Sequence, residues 1–77
     1  MSYQLSIYTV YDHPLDYPNS YVVKKWICNV NPPVQDSNFL IIGEDLDRIR
    51  EMLVMEMGLT VLPREINDDL VILENYI

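Results

Sequence analysis

The sequence GEDLDRIREMLVMEMG, residues 43–58, carries the clearest helical pattern of the chain. At about 100° per residue, four of its apolar positions fall on one narrow stripe. They are Leu46, Ile49, Leu53 and Met57. Acidic residues crowd the first turn, where the helix dipole favours anions, and Gly58 follows the last periodic residue as a left-handed cap would. The pattern predicts one amphipathic helix over 44–57.

Strand-forming segments lie on both sides of this helix. Residues 3–11 and 21–28 are rich in tyrosine, valine and isoleucine, and a turn-rich loop at 12–20 separates them, so they predict an antiparallel hairpin. Residues 39–42 are a short apolar run compatible with a further strand, and residues 68–77 predict the last strand. The predicted fold class is α+β, with a small, mainly antiparallel sheet of three to four strands and one helix packed on one face (β-β-(β)-α-β).

The length of 77 residues predicts a single small acidic domain spanning 1–77. Its only cysteine, Cys28, cannot form an internal disulfide, and one unpaired thiol fits a reducing cytoplasm. The first residues lack the basic and apolar regions of a signal peptide, and no apolar run approaches the roughly 20 residues of a membrane span. We therefore expect a cytoplasmic protein.

The charge of the chain is strongly negative. Twelve acidic and five basic residues give a net charge of −7, and most of the excess follows residue 42. Nucleic-acid binding needs cations that replace phosphate counterions, and anionic membranes attract basic segments. We therefore expect neither direct nucleic-acid binding nor membrane binding, and we expect a basic protein partner, which electrostatic steering favours.

The predicted strands carry apolar side chains on both faces, although one helix can cover only one face of a sheet. In the second strand, Trp26 and Ile27 point to opposite faces. In the last strand, Ile72 and Tyr76 are predicted to share one face, with Leu73 on the other. Three interpretations remain open. The uncovered face is an interface for a homodimer or another protein, the long loops fold over it, or these strands are simply central in the sheet.

The sequence offers few candidate catalytic or metal-binding residues. The 12–16 loop holds His13, the only histidine, between Asp12 and Asp16, but zinc sites need three or four strong ligands and this loop offers one. We expect these residues to form an ordinary turn, and we expect the thiol of Cys28 to be buried and inert. We expect no catalytic residues, no metal site and no cofactor, so the protein is predicted not to be an enzyme.

The candidate partner-binding residues lie mainly on the predicted helix. There they comprise four carboxylates and one methionine on the side opposite the apolar stripe. With two tyrosines from the first strand and the following loop, they are Glu44, Asp45, Asp47, Glu51, Met55, Tyr8 and Tyr17. A surface array of carboxylates can compete with nucleic-acid phosphates for a basic groove. The alternative is a solvated acidic helix that keeps a small protein soluble.

Several stretches resemble a group of small proteins from bacterial and bacteriophage genomes that have no assigned activity. The similar stretches are YTVYDHPLDYP (8–18), YVVKKW (21–26), GLTVLPR (58–64) and DDLVILE (68–74). The resemblance covers about half of the chain and brings no functional residues with it. In a phage setting, the resemblance would favour an inhibitor of host machinery, including an anti-defence protein.

The sequence thus predicts a non-enzymatic protein-binding module. In its sharpest form it is a phage-type inhibitor of a host nucleic-acid-handling or defence complex that acts through an acidic surface. Two alternatives remain. One is a small ligand- or metal-binding domain that uses the 12–16 loop, and the other is a homodimeric structural protein.

Overall fold

A computed structural model describes residues 5–63 and 71–77 of the chain. Its elements are β1 (Ser6–Asp12), β2 (Tyr21–Ile27), β3 (Val34–Gly43), the helix α1 (Leu46–Glu51) continued by a π-helical turn (Met52–Glu56), β4 (Val61–Leu62) and β5 (Ile72–Tyr76). The predicted α+β class is confirmed. The sheet has five strands instead of the three to four that the sequence predicts.

All five strands form one antiparallel sheet in the order β3-β2-β1-β5-β4. The central strand β1 pairs with β2 on one side and with β5 on the other, so the predicted hairpin with a long connection is confirmed. The strand absent from the prediction is β4. Its two residues lie in the segment predicted as a connection, and they pair with Tyr76 and Asn75 of β5.

The third strand is longer than predicted, because it begins at Val34 instead of Phe39. Its first half is polar, and its register with β2 shifts between Lys24 and Trp26, which leaves unpaired residues on β3. Within this irregular stretch the side chain of Asp36 accepts a hydrogen bond from the Asn38 backbone N–H at 3.0 Å. A polar, bulged edge strand does not show the alternation by which strands are recognised.

A bulge in β5 changes which side chains share a face. The register between β1 and β5 shifts so that Val10 pairs with Glu74 and Tyr11 pairs with Ile72, which makes Leu73 the extra residue. Because one extra residue inverts the alternation, Ile72 and Tyr76 lie on opposite faces. The prediction that these two side chains share a face is wrong. Residues 68–70 of the predicted strand lie outside the described residues.

The helix begins and ends at capped positions. The carboxylate of Asp45 accepts hydrogen bonds from the backbone N–H groups of Asp47 and Arg48 at 3.0 and 3.3 Å, so Asp45 is the N-cap. Gly58 has φ +69°, which confirms the left-handed cap. The predicted α-helix over 44–57 is α-helical only over 46–51, since the turn that follows it is a π-helix.

The hydrophobic core lies between this helical segment and one face of the sheet. Ile49 and Leu53 are buried against Val10, Val23 and Tyr76. Partly buried hydrophobic side chains pack around this cluster: Tyr8, Tyr21, Phe39, Ile41, Leu46, Leu59 and Leu73. Three of the four predicted stripe positions therefore contact the core, whereas Met57, beyond the π turn, is exposed.

A polar contact ties the helix to β5. Arg50 Nε donates to Glu74 Oε1 at 2.7 Å, and the Tyr76 hydroxyl donates to the same oxygen at 3.2 Å. Burial raises the pKa of the Tyr76 hydroxyl, and the charge of the Glu74 carboxylate and its hydrogen bond raise it further. The hydrogen bond to Glu74 also raises the pKa of Arg50.

We predict that Leu53→Ala destabilises the protein by about 2–5 kcal/mol, because it removes a fully buried side chain and leaves a cavity. The matched control is the next residue, Val54, which is 45% exposed. Val54→Ala should change the free energy of unfolding by no more than about 0.5 kcal/mol. Urea denaturation measures both values, and equal losses would contradict this account of the core.

The stability should also fall at alkaline pH. Because the pKa of Tyr76 is raised in the folded state, the folded protein keeps this proton where the unfolded chain has lost it. The contribution of Tyr76 to the free energy of unfolding is complete below about pH 10, and it is lost as the pH rises through the folded-state pKa of this residue. Tyr76→Phe should therefore flatten the decline in unfolding free energy above about pH 10, relative to the unsubstituted protein. An unchanged slope in urea denaturation series would show that Tyr76 is not responsible.

Candidate functional site

The sheet separates two candidate surfaces. Its pairing registers place one set of side chains on the face opposite the helix, here called the open face. These are Ile7, Thr9, Tyr11, Val22, Lys24, Trp26, Leu40, Ile42, Leu62, Ile72 and Asn75. The helical segment packs on the other face. One flat partner surface therefore cannot cover the helix and the open face together, although the sequence alone left that combination open.

The loop between β1 and β2 covers one end of the open face. Its Pro14 is buried, and a cavity of about 450 Å³ lies between the loop and the sheet, lined by Tyr11, His13, Pro14, Leu15, Lys24 and Val71. Backbone hydrogen bonds fix the loop, from His13 N–H to the Ser20 carbonyl at 3.0 Å and from Tyr17 N–H to the Pro14 carbonyl at 2.9 Å. The interpretation in which loops fold over this face thus holds for this end.

Another part of the open face forms a groove of about 690 Å³. Its lining is Ile7, Thr9, Tyr11, Trp26, Cys28, Pro33, Leu62, Pro63, Ile72 and Asn75. The Thr9 hydroxyl donates to Asn75 Oδ1 at 2.7 Å, and Trp26 Nε1 donates to the Tyr11 hydroxyl at 3.1 Å. Among the residues that the structure describes, the lining contains no acidic or basic side chain. We call this cavity the groove.

The residues of the 12–16 loop do not converge on one point. Asp12 Oδ1 contacts His13 Nδ1, whereas Asp16 pairs with Lys24 Nζ at 3.3 Å. The His13 ring packs edge-on against Tyr21 with its centroid 4.8 Å away, and its φ of 48° belongs to a tight turn. Over residues 5–63 and 71–77, no group of three histidine, cysteine or acidic side chains could hold a metal ion.

The five predicted partner-binding residues between positions 44 and 55 are all exposed, and this set is here called the acidic ridge. They are Glu44, Asp45, Asp47, Glu51 and Met55. The Asp47 side chain is 94% exposed and Met55 is 76% exposed. Two arginines oppose part of this charge, because Arg48 pairs with Glu51 at 3.1 Å and Arg50 lies 3.6 Å from Asp47.

Val54 and Met57 extend the apolar part of this ridge, and sequence reasoning did not select them. Both are exposed close to Met55 in the chain. A regular helical period assigns Met57 to the core stripe. The π turn rotates the residues that follow it relative to a regular helix, and this change leaves no signal in the hydrophobic pattern. Leu15, at the tip of the β1–β2 loop, is also fully exposed and was not selected.

The two predicted tyrosines lie away from the ridge. Tyr8 is half-buried on the helix-covered face, where its ring packs edge-on against Phe39 at 5.1 Å and contacts the core cluster. Tyr17 is half-buried within the β1–β2 loop, and its backbone closes a turn there. Glu44, Asp45, Asp47, Glu51 and Met55 are thus all exposed within one short segment of the chain, whereas Tyr8 and Tyr17 are half-buried in other elements.

Comparison with known proteins gives no match: no protein-family model, no curated protein and no solved structure is similar to the chain. The resemblance to small bacterial and bacteriophage proteins therefore stays a prediction. In the part of the chain that the structure describes, no helix has the length and apolar character that crossing a membrane requires.

Proposed function

We propose that the chain is a non-enzymatic protein-binding module that contacts a basic partner surface through the acidic ridge. One observation carries the proposal. Val54, Met55 and Met57 are exposed on or just after the π turn, next to Glu51 and Glu56 in the chain. An apolar centre with a charged rim is the arrangement of many protein interfaces, and exposed methionines adapt to different partners.

The charge of the ridge supports a basic partner. Between residues 44 and 57 there are five acidic residues and two arginines, so this segment contributes much of the net charge of −7. Exposed carboxylates raise the rate at which a basic surface meets the ridge, and salt weakens that steering. The apolar side chains contribute contact area once the surfaces have met.

In its sharper form, the proposal makes the protein an inhibitor of a nucleic-acid-handling or defence complex. Carboxylates spaced along an exposed helix can occupy cation-lined grooves that otherwise hold phosphates. The exposure of Glu44 and Asp47 supports this form, since neither side chain is buried in the fold. The pairing of Arg48 with Glu51 reduces the anionic charge that the ridge presents.

The test uses a photo-crosslinking amino acid at position 55 in bacterial cells that express the protein. We predict a discrete adduct from position 55 and none from position 34, which is also exposed but lies on β3. Substituting Glu44→Gln, Asp47→Asn and Glu51→Gln together should weaken the adduct by about tenfold, because steering is lost. An equal adduct from position 34, or no adduct at all, would contradict the proposal.

A matched triple variant tests whether binding depends on where the negative charge lies or only on the net charge of the protein. Asn19→Lys, Gln35→Lys and Ser37→Lys change three exposed residues outside the ridge. Both triple variants raise the net charge from −7 to −4, yet only the ridge variant should lose the adduct. Equal losses would mean that overall charge, and not the ridge, controls binding.

Release of the partner by duplex DNA supports the inhibitor form, and a partner that DNA leaves bound contradicts it.

A further inference from the structure

We propose that the groove on the open face binds an uncharged, mainly apolar small molecule. The groove lies on the side of the sheet opposite the acidic ridge, so this inference does not depend on the proposed function. It rests on the shape of the groove, the chemistry of its lining and the way in which the strands form it.

The shape of the groove is that of a ligand site. A volume of about 690 Å³ falls within the roughly 300–1,000 Å³ typical of small-molecule pockets. The floor comes from β1, β2 and β5, and the walls come from Pro33 on one side and from Leu62 and Pro63 on the other. The bulge in β5 turns Ile72 towards the groove, and bulges commonly redirect a side chain next to a functional site.

The lining selects an uncharged ligand. Over residues 5–63 and 71–77, no acidic or basic side chain borders the groove, so an ion would lose its hydration without gaining a counter-charge from these residues. The polar atoms are concentrated at the Thr9–Asn75 hydrogen bond, where Asn75 also carries amide N–H donors. We infer a ligand with an apolar body and a single hydrogen-bonding group placed near Asn75.

The other occupant to consider is a second copy of the chain. Two concave surfaces do not fill one another, and two molecules with a net charge of −7 repel each other. A small molecule meets neither obstacle. The groove therefore favours a small molecule over self-association.

The chain contains its own reporters, because its only tryptophan, Trp26, and its only cysteine, Cys28, both line the groove. The probe is N-phenyl-1-naphthylamine, an uncharged dye that fluoresces in apolar sites. We expect saturable binding of one dye per chain, detected by energy transfer from Trp26, and slower alkylation of Cys28 by iodoacetamide when the dye is present. The anionic analogue 8-anilinonaphthalene-1-sulfonate should bind about tenfold more weakly.

Variants assign the binding to the groove. Cys28→Phe places a larger side chain in the groove and should weaken dye binding at least about tenfold, as loss of apolar contact requires. Modifying Cys28 of the unsubstituted folded protein with N-ethylmaleimide should have the same effect, which covers the case in which the variant does not fold. Met55→Lys, on the acidic ridge, is the control and should leave binding unchanged.

Several results would overturn the inference. One is dye binding that does not saturate, or that Cys28→Phe and Met55→Lys affect equally. Equal affinity for the anionic analogue would refute the uncharged ligand class. A dimer in light scattering, at twice the chain mass of 9.1 kDa, that Cys28→Phe dissociates would show that a second copy fills the groove. None of these results bears on the crosslinking at position 55, so the two proposals fail separately.

Discussion

The packing of Ile49 and Leu53 against the central strands is the interaction on which the rest of the fold depends. These two side chains bring the helical segment onto Val10, Val23 and Tyr76, and the Arg50–Glu74 contact holds it there. A chain of 77 residues has room for little more than one such core. Because the helix packs on one face of the sheet, the other face must be covered by loops, left exposed or occupied by a ligand.

That constraint produces two surfaces with different chemistry. The helix side presents carboxylates around exposed apolar residues, a combination suited to a basic protein. The open face presents a groove whose described lining has no acidic or basic side chain, and the β1–β2 loop covers another part of this face. Since the sheet lies between them, the partner and the ligand that we propose would not compete for the same surface.

Sequence reasoning recovered the elements that have strong local signals. The apolar stripe at Leu46, Ile49 and Leu53 and the glycine at position 58 correctly place the helix and its end. The bulge that separates Ile72 from Tyr76 was not predictable, because one extra residue in a strand leaves no trace in composition. The same holds for the π turn that exposes Met57. The groove is assembled from four strands and a loop, so no local motif marks it.

We expect the groove on the face opposite the helix to stay accessible in solution. Quenching of Trp26 fluorescence by acrylamide tests this most directly, since Trp26 is the only tryptophan and lies in the groove. The account predicts clear quenching with a slope that does not change with protein concentration. A tryptophan that acrylamide cannot reach, or a slope that falls as the protein is concentrated, would show that another part of the chain or a second copy covers this face.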